Sequence, residues 1–170
     1  MANSEAETTE QTDMSHLAGK YLTFKLGEED YALQILKVQE IIEMQEITKV
    51  PRTPEYVKGV INLRGKVLPV IDLRLKFGLE QQEATRNTCI ILVYVQSGDR
   101  TITMGIIIDE VSEVLDITSD QIEPAPSFGT QVDTSFILGM AKTEESVKML
   151  LDIDMVLSEQ EFSALQDVGK

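Results

Sequence analysis

Hydrophobic and polar positions alternate as soon as the chain turns apolar. In YLTFKL, Leu22, Phe24 and Leu26 fall on one side and Thr23 and Lys25 on the other, the period of two expected of a half-buried strand. GEED interrupts the pattern as a turn, and YAL begins a return strand. LQILKVQEII is harder, because Leu36, Val38 and the adjacent Ile41 and Ile42 cannot share one strand face. A short helix over 35–42 would gather Ile35, Val38 and Ile42 instead. ITKVP predicts a short strand ended by Pro51. TPEYVKG predicts one helical turn, with Thr53 at the N-cap, Pro54 at the first helical position and Gly59 at the exit.

Three hairpins follow. VINL and KVLPVID flank the dipeptide Arg64-Gly65, where Gly65 supplies the positive φ that a tight tip requires. Pro69 has no amide proton to donate, which predicts a sheet edge or a bulge there. TCIILVYV and TITMGIIID flank QSGDR, and FILGMAK and VKMLLDID flank TEES. SEQEFSALQ closes the chain as a short helix, with Ser158 and Glu161 at the spacing of a capping box.

Composition narrows the class. The chain has 170 residues, of which 42% are hydrophobic and 5% aromatic, and it contains no Trp. A core is affordable, and it must be built from Val, Ile and Leu, which favours strands. No apolar run reaches the roughly 20 residues of a bilayer span. The N-terminus, MANSEAETTEQTDMSHLAGK, is polar and acidic and lacks the pattern of a secretory signal. The single Cys, Cys89, excludes an internal disulfide and sits in an apolar run that reads as core.

Net charge is −14, which disfavours a nucleic-acid partner. The charge is uneven: residues 1–48 carry −7, residues 49–76 carry +5 and residues 77–170 carry −12. Arg64 sits in this basic island, at a tip that needs the glycine but not the arginine. Its guanidinium either folds back onto a carboxylate or free carbonyls, or forms a docking contact with an acidic partner.

Catalytic constellations are missing. The one histidine, His16, lies in the acidic tail, and neither GxGxxG nor GxxxxGK[ST] occurs. An echo recurs in PVID72LRLKF, GIIID109EVSEVL and MLLD152IDMVL, each an apolar strand, an Asp, then apolar spacing of three or four. Asp72, Asp109 and Asp152 read best as caps accepting free amides, rather than as a metal or acid–base cluster. Many short strands with glycine turns predict an all-β protein that works by binding.

KYLTFKLGEEDYAL, ILKVQEI, VPRTPEYVKGVINLRGKVLPVIDLR and GIIIDEVSEVL together resemble the CheW-like family of bacterial chemotaxis coupling proteins. The resemblance runs from about residue 20 to the final helix in the family's order, and GVINLRG followed by PVIDLR is its most specific signature. The same module occurs as the regulatory domain of the CheA histidine kinase and as the first domain of CheV. No ATPase-type module precedes it here and no receiver domain follows it, so the stand-alone adaptor is the expectation.

The resemblance implies an all-β fold with a few short helices, built as two packed five-stranded SH3-like barrel subdomains. Residues 1–18 would be a disordered acidic tail, 19–157 the two-barrel domain, and 158–170 a short helix and tail. The implied role is non-catalytic and free of cofactor or metal. It links the cytoplasmic tips of methyl-accepting chemotaxis receptors to the regulatory domain of CheA and helps assemble the receptor array. That places the protein in the cytoplasm, held at the inner membrane through the arrays, without inserting into the bilayer. Carried onto this chain, VQEI supplies Val38, Glu40 and Ile41, with Ile42 beside them, as receptor or kinase contacts. GVINLRG supplies Arg64, and DEV supplies Val111 at the border of a groove between the barrels. The alternatives are a CheV-type or kinase regulatory domain, and a small-molecule-binding barrel or hydrolase using Asp72, Asp109 and Asp152 on one face.

Overall fold

The computed structural model describes residues 15–125, 135–144 and 146–168. The strands are β1 Gly19–Leu26, β2 Glu29–Gln34, β3 Val38–Glu43, β4 Val57–Leu63, β5 Lys66–Asp72, β6 Cys89–Ser97, β7 Arg100–Ile108, β8 Glu110–Ile117, β9 Ile122–Glu123, β10 Ile137–Lys142 and β11 Val147–Leu151. The helices are α1 Leu73–Lys76, α2 Ile153–Val156 and α3 Glu159–Val168. The first sheet runs β8-β1-β2-β11-β10-β9 and the second β3-β6-β7-β5-β4. This is the expected all-β architecture of two SH3-like subdomains, with the two-residue β9 adding a sixth strand to the first sheet.

Neither sheet is a continuous piece of chain. The β1–β2 hairpin joins β8–β11, and the β6–β7 hairpin joins β3–β5. The exchange is sealed by two parallel pairings, β11 on β2 and β5 on β7.

This arrangement explains the continuous apolar run of β6. Ile90 and Leu92 face the second sheet's own small core, with Ile61 and Val70. Ile91 and Val93 face a larger core between the sheets, shared with Phe24, Leu33, Met104 and Ile106. A strand buried on both faces loses the alternation that a half-buried strand shows. Strand β1 keeps its alternation but is also buried on both faces at its centre, because Tyr21 enters the first sheet's core while Leu22 and Phe24 enter the shared one. Helix α3 is capped by the predicted box: Ser158 N donates to Glu161 Oε1 at 2.8 Å, and Glu161 N donates to Ser158 Oγ at 3.1 Å. It then buries Phe162 and Leu165 in the shared core.

Several expectations are corrected. The helix over 35–42 is a 3-10 turn at Ile35–Lys37 followed by strand β3. The ITKVP strand reduces to a single bridge, Thr48 to Val60. TPEYVKG is no helical turn: Val57 N donates to Pro54 O at 3.0 Å and β4 starts at once. Thr53 Oγ1 donates to Val50 O at 2.9 Å instead of capping, and Gly59 lies inside β4. Pro69 lies on an interior strand. Counting from the two-residue tip, Val60 and Pro69 form a non-hydrogen-bonded pair, and the ladder to β7 begins only at Val70. Its missing amide is therefore not demanded by β4. Most of the expected acidic tail lies outside the described residues, but Leu17 is buried in the first sheet's core, and its carbonyl accepts from Tyr21 Oη at 2.6 Å.

Candidate protein-docking site

Strand β3 is an edge strand, paired with β6 on one side only. Its residues alternate, with Val38, Glu40 and Ile42 half-buried and Gln39, Ile41 and Glu43 exposed. A register shift between Val38 and Glu40 marks a bulge. The strand therefore bridges two environments. Val38 packs against the core between the sheets, and Ile42 packs against the second sheet's own core. Ile41 points outward and is 45% exposed.

The Arg64-Gly65 tip has positive φ at both residues, 50° and 86°, as a type I′ turn requires. Gly65 N donates to Asn62 Oδ1 at 3.0 Å, which stiffens the tip. Arg64 Nη2 donates to Glu40 Oε1, so the structure unites two segments that the sequence offered separately. The pair is solvent-facing, with side-chain exposures of 67% for Arg64 and 32% for Glu40.

Val111 lies on β8, the edge strand of the first sheet, opposite Phe24. It is half-buried against the shared core, as Val38 is from the second sheet. Glu40, Ile41, Ile42 and Arg64 stay together on the second sheet, while Val38 and Val111 border the seam between the two.

A charged tie anchors that seam. Arg74 Nη1 donates to Asp109 Oδ2 at 2.7 Å, and Arg74 Nε donates to Glu80 O at 2.9 Å. Gly27 N also donates to Asp109 Oδ2, at 2.7 Å. Arg74 is only 9% exposed. The tie joins α1, the β1–β2 tip and the residue just before β8, and so holds Val111 in place. Nothing in LRLK marked Arg74 as buried, although the recurring Asp109 pattern marked its partner. The 3-10 turn linking the sheets also carries Leu36, an apolar side chain at 88% exposure.

The three aspartates are spent on separate tasks. Asp72 Oδ1 accepts from Arg74 N at 2.9 Å and caps α1, and Asp152 Oδ1 accepts from Asp154 N at 3.2 Å and caps α2. Asp109 also accepts a free amide, that of Gly27, but it caps no helix, because strand β8 follows it, and it pairs with Arg74 as well. Burial, then the neighbouring Asp154 carboxylate, pushes the Asp152 carboxyl up. Among the described residues no group of His, Cys, Asp and Glu is placed to hold a metal ion. Burial pushes the Cys89 thiol up, away from thiolate reactivity.

A second charged cluster clamps α3 onto the other subdomain. Glu161 Oε2 accepts from Tyr56 Oη and, at 2.7 Å, from Lys76 Nζ, which also lies 4.6 Å from the centre of the Tyr56 ring. Burial alone would raise the Glu161 carboxyl, but the Lys76, Tyr56 and Ser158 donors hold it down to about 2. Burial first, and then Glu161, pushes the Tyr56 hydroxyl well above the usual phenol range.

The CheW-like domain family matches residues 20–161. The chain is 40% identical over 162 residues to the chemotaxis protein CheW of Klebsiella aerogenes, covering 92% of this chain and 95% of that one. It is 37% identical over 142 residues to the chemotaxis protein CheW of Bacillus subtilis, covering 83% and 88%. The crystal structure of the scaffolding protein TtCheW from Thermoanaerobacter tengcongensis is similar with a TM-score of 0.74 at 37% identity, covering 85% of this chain and 97% of that one.

Proposed function

The chain belongs to the CheW-like domain family, and on that premise we propose that it is a non-catalytic adaptor coupling methyl-accepting chemoreceptors to the CheA histidine kinase. It works in the cytoplasm, at the receptor arrays it helps to assemble. Arg64 and Glu40 form the polar centre of the docking face, and Ile41 supplies its outward apolar contact. Val38, Ile42 and Val111 shape the seam beside it. Stiff β-branched side chains suit this role, because little rotamer entropy is lost when a helix settles on them.

The observation that carries this reading is the backbone of Arg64. A non-glycine residue at φ 50° costs roughly 1 kcal/mol. A solvent-facing ion pair such as Arg64–Glu40 returns about as much at most. Local stability therefore gives no reason for arginine at this tip, whereas a guanidinium presented by a rigid hairpin suits partner recognition.

The test is Arg64→Ala and Arg64→Glu, scored separately for melting temperature and for binding to a receptor cytoplasmic fragment and to the kinase regulatory domain. Both should fold normally. Receptor binding should weaken roughly tenfold or more with Ala, from the loss of a charge-assisted hydrogen bond, and further with Glu. Normal receptor binding by both variants would remove Arg64 from the docking face.

A further inference from the structure

A cavity of about 550 Å³ opens where the chain enters β4. Lys49, Arg52, Thr53, Glu55, Lys58 and Gln81 line it. It lies at the opposite end of β4 from the Arg64 tip, which seven strand residues put roughly 20 Å away. None of the residues of the docking face proposed above takes part in it.

The walls are braced. Gly59 lets the chain at Thr48 lie directly on β4, since a Cβ there would sit 2.0 Å from Thr48 O. Thr48 N donates to Val60 O at 2.8 Å and Val60 N donates to Thr48 O at 2.9 Å, which seats Lys49. Thr53 Oγ1 closes the following turn on Val50 O. Arg52 is held within that turn at φ 65°, a conformation that costs a non-glycine residue. Two cations, Lys49 and Arg52, are thus presented on a loop tied down at both ends, and Lys58 joins them from β4.

Their lack of partners is the telling feature. In a chain of net charge −14, carboxylates are plentiful. Three of the other four cations of the same basic segment are matched, Arg64 by Glu40, Arg74 by Asp109 and Lys76 by Glu161, and only Lys66 beside the Arg64 tip shares their lack of an ion pair among the described residues. Among the described residues Lys49, Arg52 and Lys58 enter no ion pair, although Glu55 shares the cavity.

We propose that this cavity docks an acidic peptide segment of a partner protein, with its carboxylates spaced along an extended chain. The inference goes beyond the adaptor reading and does not depend on it. The mixed lining, with Glu55 among the cations, favours a peptide over a compact phosphate. A dianion small enough to touch all three cations would also face Glu55, whereas separated carboxylates can meet Lys49, Arg52 and Lys58 singly. Gln81 and Thr53 add amide and hydroxyl groups suited to a peptide backbone. A nucleic acid is disfavoured by the strongly negative remainder of the surface.

The test uses a fluorescently labelled peptide of alternating glutamate and glycine, titrated against the full chain at two salt concentrations. Arg52→Gly with Lys58→Gln is compared with Lys66→Gln with Arg86→Gln, a change of equal charge elsewhere. The cavity pair should weaken binding roughly tenfold and the control pair less than about twofold. Carbodiimide cross-linking of the wild-type chain should join the peptide to Lys49 and Lys58, a readout that needs no variant to fold. Equal weakening by both pairs, absence of binding, or cross-links confined to other lysines would overturn the proposal. Displacement of the peptide by inorganic phosphate at matched ionic strength would overturn it in favour of a simple anion site.

Discussion

The segment from Tyr56 through α1 and the segment from Phe136 through α2 are built on one plan. Each is an antiparallel hairpin whose second strand takes a parallel partner, β7 for β5 and β2 for β11. Each ends in an aspartate that caps a short helix. Asp72 N donates to Tyr56 O at 2.7 Å, and Asp152 N donates to Phe136 O at 2.7 Å. Gly59 and Gly139 occupy matching bulged positions, opposite Val70 and Leu150. The side chains hung on this plan differ. The second sheet carries the two-residue Arg64 tip, the buried Arg74–Asp109 tie and the braced basic loop, and the first carries the solvent-facing Lys142–Glu123 pair and the acidic edge strand β8. Backbone devices are shared because they solve a folding problem. The charges differ, and both docking proposals rest on that difference.

Four measurements would break or sharpen this comparison. The largest effect is expected at the two glycines. Gly59 has φ +140° and a Cβ would fall 2.0 Å from Thr48 O, a backbone atom that cannot yield. At Gly139 the nearest backbone oxygen, that of Glu123, would be 2.9 Å away. Gly59→Ala should cost about 3 kcal/mol or more in denaturant titrations, and Gly139→Ala clearly less. Equal losses would mean that the two bulges carry equal loads.

Next come the charged ties. Arg74→Met leaves Asp109 facing the seam without its cation and should cost about 2–3 kcal/mol. Lys37→Met, which breaks the more accessible Lys37–Asp154 pair of 2.6 Å, should cost about 1 kcal/mol. Chemical denaturation of the two single variants decides the matter, and a reversed order would undo the contrast between buried and open ties.

The clamp on α3 predicts a pH dependence. The Glu161 carboxyl sits at about 2 when folded against an ordinary 4.5. Its contribution is therefore complete above about pH 4.5 and is lost as pH falls from there through about 2. With partial exposure discounted, that contribution is on the order of 2 kcal/mol. Glu161→Gln should lower the melting temperature near neutral pH and converge with the wild type near pH 2. Parallel melting curves across that range would deny the clamp its ionic character.

The smallest effect is expected at the tip. Arg64→Gly relieves the left-handed backbone and removes an exposed ion pair, so stability should stay within about 1 kcal/mol. A larger loss would make the arginine structural and would count against its place in docking.

Local chemistry was legible in the residues. The tight tips, the capping box at Ser158 and the caps at Asp72 and Asp152 involve groups a few positions apart, so their geometry follows from residue type. The β3 segment was misread because a bulge and a preceding 3-10 turn shift its phase, and the apolar spacing then imitates a helix. TPEYVKG was misread because Thr53 can give its hydroxyl proton to Val50 as readily as accept an amide, and only the approach of Thr48 to Gly59 makes this segment a strand entry. The resemblance offered Val38, Glu40, Ile41, Ile42, Arg64 and Val111 as contacts, and the first five fall on one sheet. Their division between a polar face and a seam was not legible in the residues, and Arg74, the residue that fastens the seam, carried no signal.

The sequence by itself determined the three central hairpins with their tight tips, the capping box at Ser158 and the caps at Asp72 and Asp152, since those choices rest on side-chain sterics and hydrogen bonds within a few residues. Only the tertiary structure decided that each hairpin completes the sheet begun by the other half of the chain, and that Arg64 meets Glu40. Backbone ladders are chemically alike in every strand, so partner choice depends on which apolar faces close on one another across the whole molecule.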